Sequence, residues 1–449
     1  MSWHQNAIIY HIHALGFCGC PEINPIALPE YTPEQIRPVH RLAKLRDYYS
    51  HFQKMGITAI YLGPIFESCT HGYDIIDYFQ IDRRLGTNQL LKEIINELHS
   101  LNIKVIIDGC FHHVSRLFPQ FVDLRRHHQQ SAYLDWFFDI NFLENTIWND
   151  GFSYRCYENL SELPIINFNH PSVQQLFLQV ADFWINQMRI DGWRLDVAYQ
   201  FSPEQWQPFC QHCYQLQPDC FIYGELIEHN YSQYTKTNLF KSATNYQLYQ
   251  NIWQSIAQKD YFKLFRHIEF QQNSYSELDL VTFTGSHDTN RLHTQLYHQD
   301  LISQFLTCLF TMPGIPSVYY GDEINLVGIA DNLNTNIRQP MPNLNSISPH
   351  QQRTINLIRR LSQIRPQIQP RLEQIKFDQV EQRFVIYHYL ENPNLKIMVN
   401  SYTYPQLINS QQIKLNGNYR NLVNQEHITI SPQSPFQIIP SQSCILQKL

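Results

Sequence analysis

From residue 7 onward, short apolar runs of residues that favour β-strands alternate with longer amphipathic segments. Apolar runs of this length predict buried parallel strands, and the amphipathic segments between them predict helices. The candidate strands are Ala7–His13, Ile57–Pro64, Lys104–Phe111, Gly192–Ala198, Cys220–Leu226, Ala243–Leu248, Val281–His287 and Ile315–Tyr320. This repetition predicts an α/β fold, a closed (β/α)₈ TIM barrel rather than an open doubly wound sheet.

Three of the segments between these strands have the apolar spacing of amphipathic helices. They are Arg41–Met55, Leu90–Leu101 and Val173–Met188. Ser172, which follows Pro171, has the position expected of a helix start. We therefore expect helices between the strands, as the barrel requires.

Two stretches of the chain depart from this rhythm. The aromatic-rich segment 112–170 is too long for a loop between the third and fourth strands, and it predicts a small inserted subdomain. After residue 365 the strand-like runs RFVIYHYL and LKIMVNSY flank the turn signal ENPN, which predicts a C-terminal antiparallel β domain over 366–449. We expect this domain to be sandwich-like, and the barrel to comprise residues 1–111 and 171–365.

Composition and charge limit the partners and the compartment. A net charge of −6 without a Lys/Arg run argues against nucleic acid or an anionic membrane as partner. The most apolar stretch, Leu301–Tyr320, is interrupted by Pro313 and Pro316, so it cannot span a bilayer as one helix. The 10 cysteines lack a disulfide-scaffold spacing, and the N-terminus lacks the features of a signal peptide. We therefore expect a cytoplasmic protein with reduced thiols.

Acidic, basic and imidazole side chains follow four of the predicted strands. In barrels of this kind the active site lies at the carboxyl ends of the strands. The residues at those ends are Asp108, His112 and His113, then Arg194 and Asp196, then Glu225, and finally His287 and Asp288. Structural ion pairs could account for such side chains at one or two strand ends. Their presence at four strand ends predicts an active site.

Two carboxylates in one cleft, with a third nearby, suit retaining glycoside hydrolysis. Arg194 and Asp196 lie two apart on a strand and project from the same face, so we expect the guanidinium to keep Asp196 ionised as the nucleophile. Glu225 follows the apolar run CFIYG, so we expect a raised pKa and a role as acid and then base. Asp288 and His287 would bind sugar hydroxyls and favour a positively charged transition state.

Two other classes of function are compatible with a barrel rim of this kind. A metal-dependent hydrolase would use His112, His113, His287 and Asp288, but the HxH and HExxH spacings are missing. A non-catalytic sugar-binding or scaffold protein predicts loss of the acidic residues, and all three acids are present. The metal-dependent class also leaves the Arg194–Asp196 pair and Glu225 without a role.

The ordered motifs resemble the α-amylase family of glycoside hydrolases, and within it the neopullulanase, cyclomaltodextrinase and maltogenic amylase group. The resemblance extends from Ala7 into the C-terminal domain. It rests on GITAIYLGPIFES, HGYDIIDYFQID, DGCFHHV, GWRLDVA, GELIEH, GSHDTNR, YYGDEI and RQPMP.

The resemblance implies that Asp196 is the nucleophile, Glu225 the general acid/base and Asp288 the stabiliser of the transition state. It implies further residues around the glucose at the cleavage point, namely Arg194, His113, His287 and Asp108. Tyr73 is implied as the stacking platform for that glucose, or else as a residue that closes its loop. Asp331 and Arg338 are implied to bind the next sugar ring.

Three departures from the family pattern, and one match to the neopullulanase group at Val197, bear on the prediction. His112 stands where the family has an Asn that helps to bind structural calcium, and imidazole is a poor ligand for that ion. We therefore expect no metal and no cofactor, with structural calcium as the open alternative. Ile227 replaces a Trp near the acceptor sugars, and the chain starts almost on the first barrel strand, so we expect the group's N-terminal β module to be absent. In related enzymes, a valine at the position of Val197 occurs together with the ability to cleave α-1,6 as well as α-1,4 linkages.

The sequence thus predicts a retaining glycosidase that acts on maltodextrins, pullulan or related α-glucans at α-1,4 and, through Val197, α-1,6 bonds. Linear chains or pullulan are expected to fit at least as readily as cyclodextrins. Transglycosylation through the same covalent intermediate is the alternative. The sequence carries no prediction of the oligomeric state.

Overall fold

Eight parallel strands form one sheet in the computed structural model, which describes residues 2–28, 35–227, 231–235, 239–275, 278–331, 334–407, 415–431, 437–438 and 442–449. The strands are β1 (Ile9–His13), β2 (Ala59–Gly63), β3 (Lys104–Gly109), β4 (Gly192–Leu195), β5 (Phe221–Gly224), β6 (Ser242–Ala243), β7 (Val281–Phe283) and β8 (Ile315–Tyr319). Their order is β6-β5-β4-β3-β2-β1-β8-β7. A parallel bridge between Thr244 and Val281 joins the two ends of the sheet, which confirms the predicted barrel.

Helices occupy most of the connections between these strands. The α-helices are Ala14–Phe17, Tyr49–Met55, Asn88–Ser100, Pro119–His127, Pro171–Asp182, Pro203–Leu216, Tyr231–Thr235, Tyr246–Gln258, Tyr261–Tyr275, Leu292–Gln295, Gln299–Thr311 and Pro349–Ile368. The predicted first helix divides into a 3₁₀ segment, Arg41–Tyr48, and the α-helix that follows it. None of the described helices is both long enough and apolar enough to cross a lipid bilayer.

Two local predictions are wrong because side chains cap helices where the sequence pattern did not reveal it. The predicted sixth strand, Ala243–Leu248, ends early, since the Asn245 side chain accepts a hydrogen bond from the Leu248 N–H and starts a helix. At the helix Pro171–Asp182, the residue before the first turn is His170, whose side chain accepts from the Ser172 N–H.

The segment between β3 and the helix Pro171–Asp182 is held together by its own contacts. It contains the helix Pro119–His127 and isolated antiparallel bridges such as His113 with Ile165. Its aromatic side chains pack on one another, for example Phe121 against Phe137 and Tyr154. This packing explains why the segment is rich in aromatic residues.

The C-terminal region forms an antiparallel sheet of six strands with the order β9-β10-β11-β14-β12-β13. These strands are β9 (Ile375–Glu381), β10 (Phe384–Tyr389), β11 (Asn392–Asn400), β12 (Gly417–Asn421), β13 (His427–Ile430) and β14 (Ser443–Lys448). The turn predicted at ENPN is displaced, because β11 already begins at Asn392. Tyr389 donates a hydrogen bond of 2.6 Å to the carbonyl of Thr311, on a barrel helix. The sheet therefore packs against the barrel.

The barrel interior leaves space for one acidic side chain at the end of β3. A Cβ atom added at Gly63 would lie 2.7 Å from both Oδ2 of Asp108 and the hydroxyl of Tyr61. Such a distance is far below van der Waals contact, so glycine at the end of β2 is what admits the Asp108 carboxylate.

Candidate active site

The register of neighbouring strands brings the predicted carboxylates to one end of the barrel. Asp108 on β3 pairs with Arg194 on β4. Asp196 and Glu225 are the first residues after β4 and β5, whose last residues pair with each other. Since parallel strands in register end at the same level, the two carboxylates lie side by side.

Arg194 is the shared partner of three carboxylates. Its Nη1 lies 2.9 Å from Oδ1 of Asp108 and 2.5 Å from Oδ1 of Asp196. Its Nη2 lies 2.6 Å from Oε1 of Glu225. All four side chains are buried, so one positive charge faces three acidic groups away from bulk water.

Burial raises the pKa of Asp196 above its ordinary value. The Arg194 charge opposes this effect, while the charges of Glu225 and Asp108 add to it. The predicted Arg194–Asp196 pair is present, and the charge of Arg194 opposes this rise in pKa without cancelling it. The sequence did not reveal that the same guanidinium also serves two other carboxylates.

Glu225 lies in a polar setting, although the apolar run before it predicted otherwise. Oε2 accepts a hydrogen bond of 3.0 Å from the backbone N–H of Val197, and Oε1 accepts one of 3.1 Å from the hydroxyl of Tyr246. Together with Arg194, these donors hold the carboxyl group in one orientation. The donors come from residues distant in sequence, so the apolar run before Glu225 did not reveal them.

Asp288 and His287 follow β7 and face the other carboxylates across the barrel mouth. Nε2 of His287 lies 2.9 Å from Oδ2 of Asp288, and Arg338 donates to Oδ1 of Asp288 at 2.9 Å. The Asp288 side chain is 41% exposed, so its partial burial raises its pKa only in part, and the charges of His287, Arg338 and Arg194 outweigh this and hold the pKa well below its usual range. Asp288 is therefore an anion throughout the neutral pH range.

Tyr73 connects the two groups of acids. Its hydroxyl donates to Oδ2 of Asp108 at 2.9 Å and lies 2.6 Å from Nε2 of His287. Its ring stacks on that of His287 with 5.4 Å between centroids and an interplanar angle of 18°. The position suits both the predicted sugar platform and a contact that orders the site.

A cavity of about 1110 Å³ opens above these residues. Its volume exceeds the usual range of about 300–1,000 Å³ for small-ligand pockets, so it admits a ligand larger than one sugar ring. The site residues in its lining are Tyr73, His113, Asp196, Val197, Glu225, His287, Asp288 and Arg338. His113 stacks on Tyr157 of the 112–170 segment, with centroids 4.8 Å apart. The inserted segment thus forms one wall of the cavity.

Asp331 is not in the cavity lining, unlike its predicted partner Arg338. Its Oδ1 accepts from the backbone N–H of Asn334 at 2.6 Å, and its Oδ2 from the side chain of Asn336 at 3.2 Å. The structure therefore gives Asp331 a role in ordering the loop after β8. Its assignment to the next sugar ring stays a prediction.

The described residues contain one group of three side chains that could hold a metal ion together, Cys110, His113 and Asp196. Calcium takes six to eight oxygen ligands, and this group offers a thiol, an imidazole and one carboxylate. His112 packs against the rings of Tyr157 and Phe201. The residues at this place do not fit calcium.

Two residues of the site were not singled out from the sequence. Tyr246 lies 21 residues after Glu225, at the start of a helix, and no local signal connects the two. His13 is the last residue of β1 and lines the cavity. The rule that barrel strands end at the active site could have found His13.

Comparison with known proteins assigns this chain to a known family. Residues 44–356 match the model of the alpha amylase catalytic domain. A cyclomaltodextrinase of a Bacillus species is 35% identical over 291 residues, which is 63% of this chain and 51% of that protein. A maltogenic alpha-amylase of Bacillus acidopullulyticus is 33% identical over 292 residues, 64% of this chain and 49% of that protein. The chain thus spans about half the length of these curated relatives.

A solved structure of similar extent is the debranching enzyme from Nostoc punctiforme. It superimposes with a TM-score of 0.81 at 25% identity and covers 99% of both chains. The family match spans well over half of the chain and includes every predicted site residue from Tyr73 to Arg338. The chain belongs to the α-amylase family.

Proposed function

We propose that the protein hydrolyses α-glucosidic bonds in maltodextrins, pullulan or related α-glucans with retention of anomeric configuration. The observation that carries this proposal is the bridging of Asp196 and Glu225 by Arg194. Retaining enzymes need their two carboxyl groups only about 5–5.5 Å apart, whereas inverting enzymes leave room for a water between them. Contact of both acids with one guanidinium supports the close spacing.

In the first step, the Asp196 carboxylate attacks the anomeric carbon, and the bond to the leaving glycosidic oxygen breaks. Glu225 gives its proton to that oxygen, so the leaving sugar departs as an alcohol. In the second step, Glu225 takes a proton from water, whose oxygen displaces Asp196 from the anomeric carbon. The hydrogen bonds from Val197 and Tyr246 keep Glu225 oriented for both proton transfers.

Positive charge develops on the sugar ring during both steps. Asp288 is a fixed anion at the cavity, and we assign it the stabilisation of that charge. His287, His113 and Tyr73 surround the same space and would orient the sugar hydroxyls. Asp108 would act mainly by fixing Arg194 and Tyr73.

The proposed substrates follow from the cavity and from the relatives. The cavity volume of about 1110 Å³ suits several sugar rings. Two relatives are a cyclomaltodextrinase and a maltogenic amylase, and the Nostoc protein is a debranching enzyme. Val197 lines the cavity beside Asp196, and Ile227 is 40% exposed there in place of a larger aromatic residue. The smaller side chains of Val197 and Ile227 in this part of the cavity support cleavage of α-1,6 as well as α-1,4 bonds.

A metal-dependent hydrolase fits the contacts less well. His287 and Asp288 already bind each other, and each has a further partner in Tyr73 or Arg338. Such a site would have to break these contacts in order to bind a cation. A retaining glycosidase uses the same contacts as they stand.

The experiment is a product screen on maltoheptaose, pullulan and β-cyclodextrin, with nuclear magnetic resonance of the first-formed anomer. We expect α-configured products from the linear substrates at rates at least equal to that on the cyclic one. Longer products would indicate transglycosylation, and a β-anomer as first product would contradict retention. Asp196→Asn is the matched control, and retention of more than about a hundredth of the rate would exclude Asp196 as nucleophile.

The compartment and the partners stay proposals. All ten cysteines are free thiols, which supports a reducing compartment such as the cytoplasm. We propose an α-glucan as the partner, with no cofactor and no nucleic acid.

A further inference from the structure

His13 ends β1 and contributes to the cavity wall, and its side chain is only 3% exposed. It lies before the region that matches the α-amylase family, which starts at residue 44. A role in the site is therefore not given by the family match. It has to be argued from the contacts of the ring.

The two ring nitrogens of His13 have different surroundings. Nδ1 accepts a hydrogen bond of 3.1 Å from the backbone N–H of Gly16, in the turn after β1. A nitrogen that accepts has no proton, so in the neutral ring the proton is on Nε2. Nε2 is buried and has no hydrogen-bond partner among the residues that the structure describes. Among the described residues that line this cavity, His13 alone has such a buried, unpartnered side-chain atom.

The ring is neutral, and its position is fixed. Burial lowers the pKa of His13 well below its ordinary value, and the nearby charges of Arg338, His287 and His11 add to this, against Asp288. A Cβ atom at Gly16 would lie 2.2 Å from the carbonyl oxygen of Arg338, so the turn is pressed against the loop after β8. The turn that follows His13 and the loop that carries Arg338 therefore form one wall of the cavity.

The barrel order puts this wall on the side away from the proposed acid/base. In the barrel order β1 lies four strands from β5, so His13 stands opposite Glu225. Glu225 protonates the leaving oxygen in the proposed mechanism, so the leaving sugar lies on its side. The His13 ring is 5.8 Å from that of His287, between centroids, on the side of Asp288 and Arg338. A sugar hydroxyl there would supply the acceptor that Nε2 lacks.

We propose that His13 is a substrate-binding residue whose Nε2–H donates a hydrogen bond to one hydroxyl of the glycon, the part of the α-glucan that becomes attached to Asp196. This inference rests on the proposed function and deepens it. An unpaired buried donor costs free energy, and the correct glycon relieves that cost. A glycon without the hydroxyl leaves the donor unpaired and is discriminated against.

The test uses 4-nitrophenyl α-maltoside and its monodeoxy analogues, each lacking one glycon hydroxyl. His13→Phe keeps the ring shape and removes the donor, and we expect kcat/KM on the parent substrate to fall about tenfold, as for one lost hydrogen bond. One analogue should lack the hydroxyl that His13 binds. On that analogue the kcat/KM of the wild type should already be about tenfold lower than on the parent substrate. The His13→Phe variant should show no further decrease on it. His13→Gln, which retains an N–H donor, should recover part of the rate.

His267→Phe is the matched control. His267 is also a buried histidine, and its Nε2 has no partner in the described part of the chain, but it lies on the helix Tyr261–Tyr275 outside the cavity lining. We expect it to leave kcat/KM unchanged on all substrates. His13→Met provides the same loss of the donor should the phenylalanine variant not fold.

The outcomes separate the two proposals. Equal loss on the parent and on every analogue would mean that His13 is only structural, and no loss at all would mean that it does not bind the glycon. Either result overturns this inference while the wild type remains active. No turnover of any α-glucoside by the wild type would overturn the proposed function and this inference with it.

Discussion

The backbone N–H of Val197 holds Oε2 of Glu225 at 3.0 Å, and it does so from a left-handed backbone conformation with φ of 39°. This region is unfavourable for a β-branched residue, because its Cβ crowds the backbone. The strained residue, Val197, is therefore also the one whose N–H binds the proposed acid/base, Glu225. Strain of this kind persists where the surrounding structure enforces it.

Replacing Val197 by Gly tests this strain. The change releases about 1–3 kcal/mol of strain. It also loses about 1.5–3 kcal/mol from burial of the side chain. We expect nearly unchanged stability in urea unfolding and kcat of the same order, because the N–H is kept. Val318→Gly, at a buried position in β8, is the control and should destabilise strongly. Equal destabilisation by both changes would contradict strain at Val197.

Replacing Glu225 by Gln tests its role as acid. The amide keeps the size of the side chain but cannot deliver a proton to the leaving oxygen. We expect turnover of maltoheptaose to fall by several orders of magnitude. The first step on a 4-nitrophenyl glycoside should slow much less, because 4-nitrophenolate leaves without protonation. A burst of nitrophenol measured by stopped flow would report this. Equal losses on both substrates would argue against Glu225 as the acid.

The pH dependence of activity should respond to Asp108. A nucleophilic carboxylate is lost to protonation as the pH falls through its pKa, and burial with Glu225 and Asp108 raises the pKa of Asp196 above 3.8. Asp108→Asn removes one of these charges, so we expect the acid limb of kcat/KM to move to lower pH. The measurement is a pH profile of the residual activity.

Asp191→Asn is the control for this profile. Asp191 is a buried carboxylate at the other end of β4, where it pairs with His99 and Lys104. Its removal should leave the acid limb of kcat/KM in place. A limb that stays fixed in Asp108→Asn, or moves to higher pH, would contradict the charge cluster around Arg194.

Dialysis against a chelator should leave both activity and the melting temperature unchanged. The physical reason is the donor set at Cys110, His113 and Asp196, which does not suit calcium. The measurements are turnover of maltoheptaose and a thermal scan, before and after dialysis. Loss of activity restored by zinc would favour a metal-dependent hydrolase, and a fall in melting temperature restored by calcium would reveal a structural ion.

The sequence was most informative where a strand ends at the barrel mouth. Asp108, Arg194, Asp196 and Glu225 were found because each follows or ends an apolar run, and parallel strands bring such residues together. The same logic applies to His287 after β7. Strand order and register are therefore sufficient to predict that these side chains meet.

Other features depend on contacts that no local pattern encodes. The helix start at Asn245 depends on one side-chain cap, and the polar setting of Glu225 depends on donors from residues 197 and 246. Asp331 was assigned by its position in a motif, but the loop after β8 folds its carboxylate onto Asn334 and Asn336. Loop conformation of this kind follows from tertiary packing.

The sharing of Arg194 by Asp196 and Glu225 links the two halves of the proposed catalytic cycle. Formation of the glycosyl-enzyme needs the nucleophile, and its breakdown needs the base, so a change at Arg194 alters both rates together. Evolution toward sugar transfer or toward hydrolysis must then act through residues that contact one acid alone. Tyr246, which donates only to Glu225 among the acids, is such a residue in the described structure.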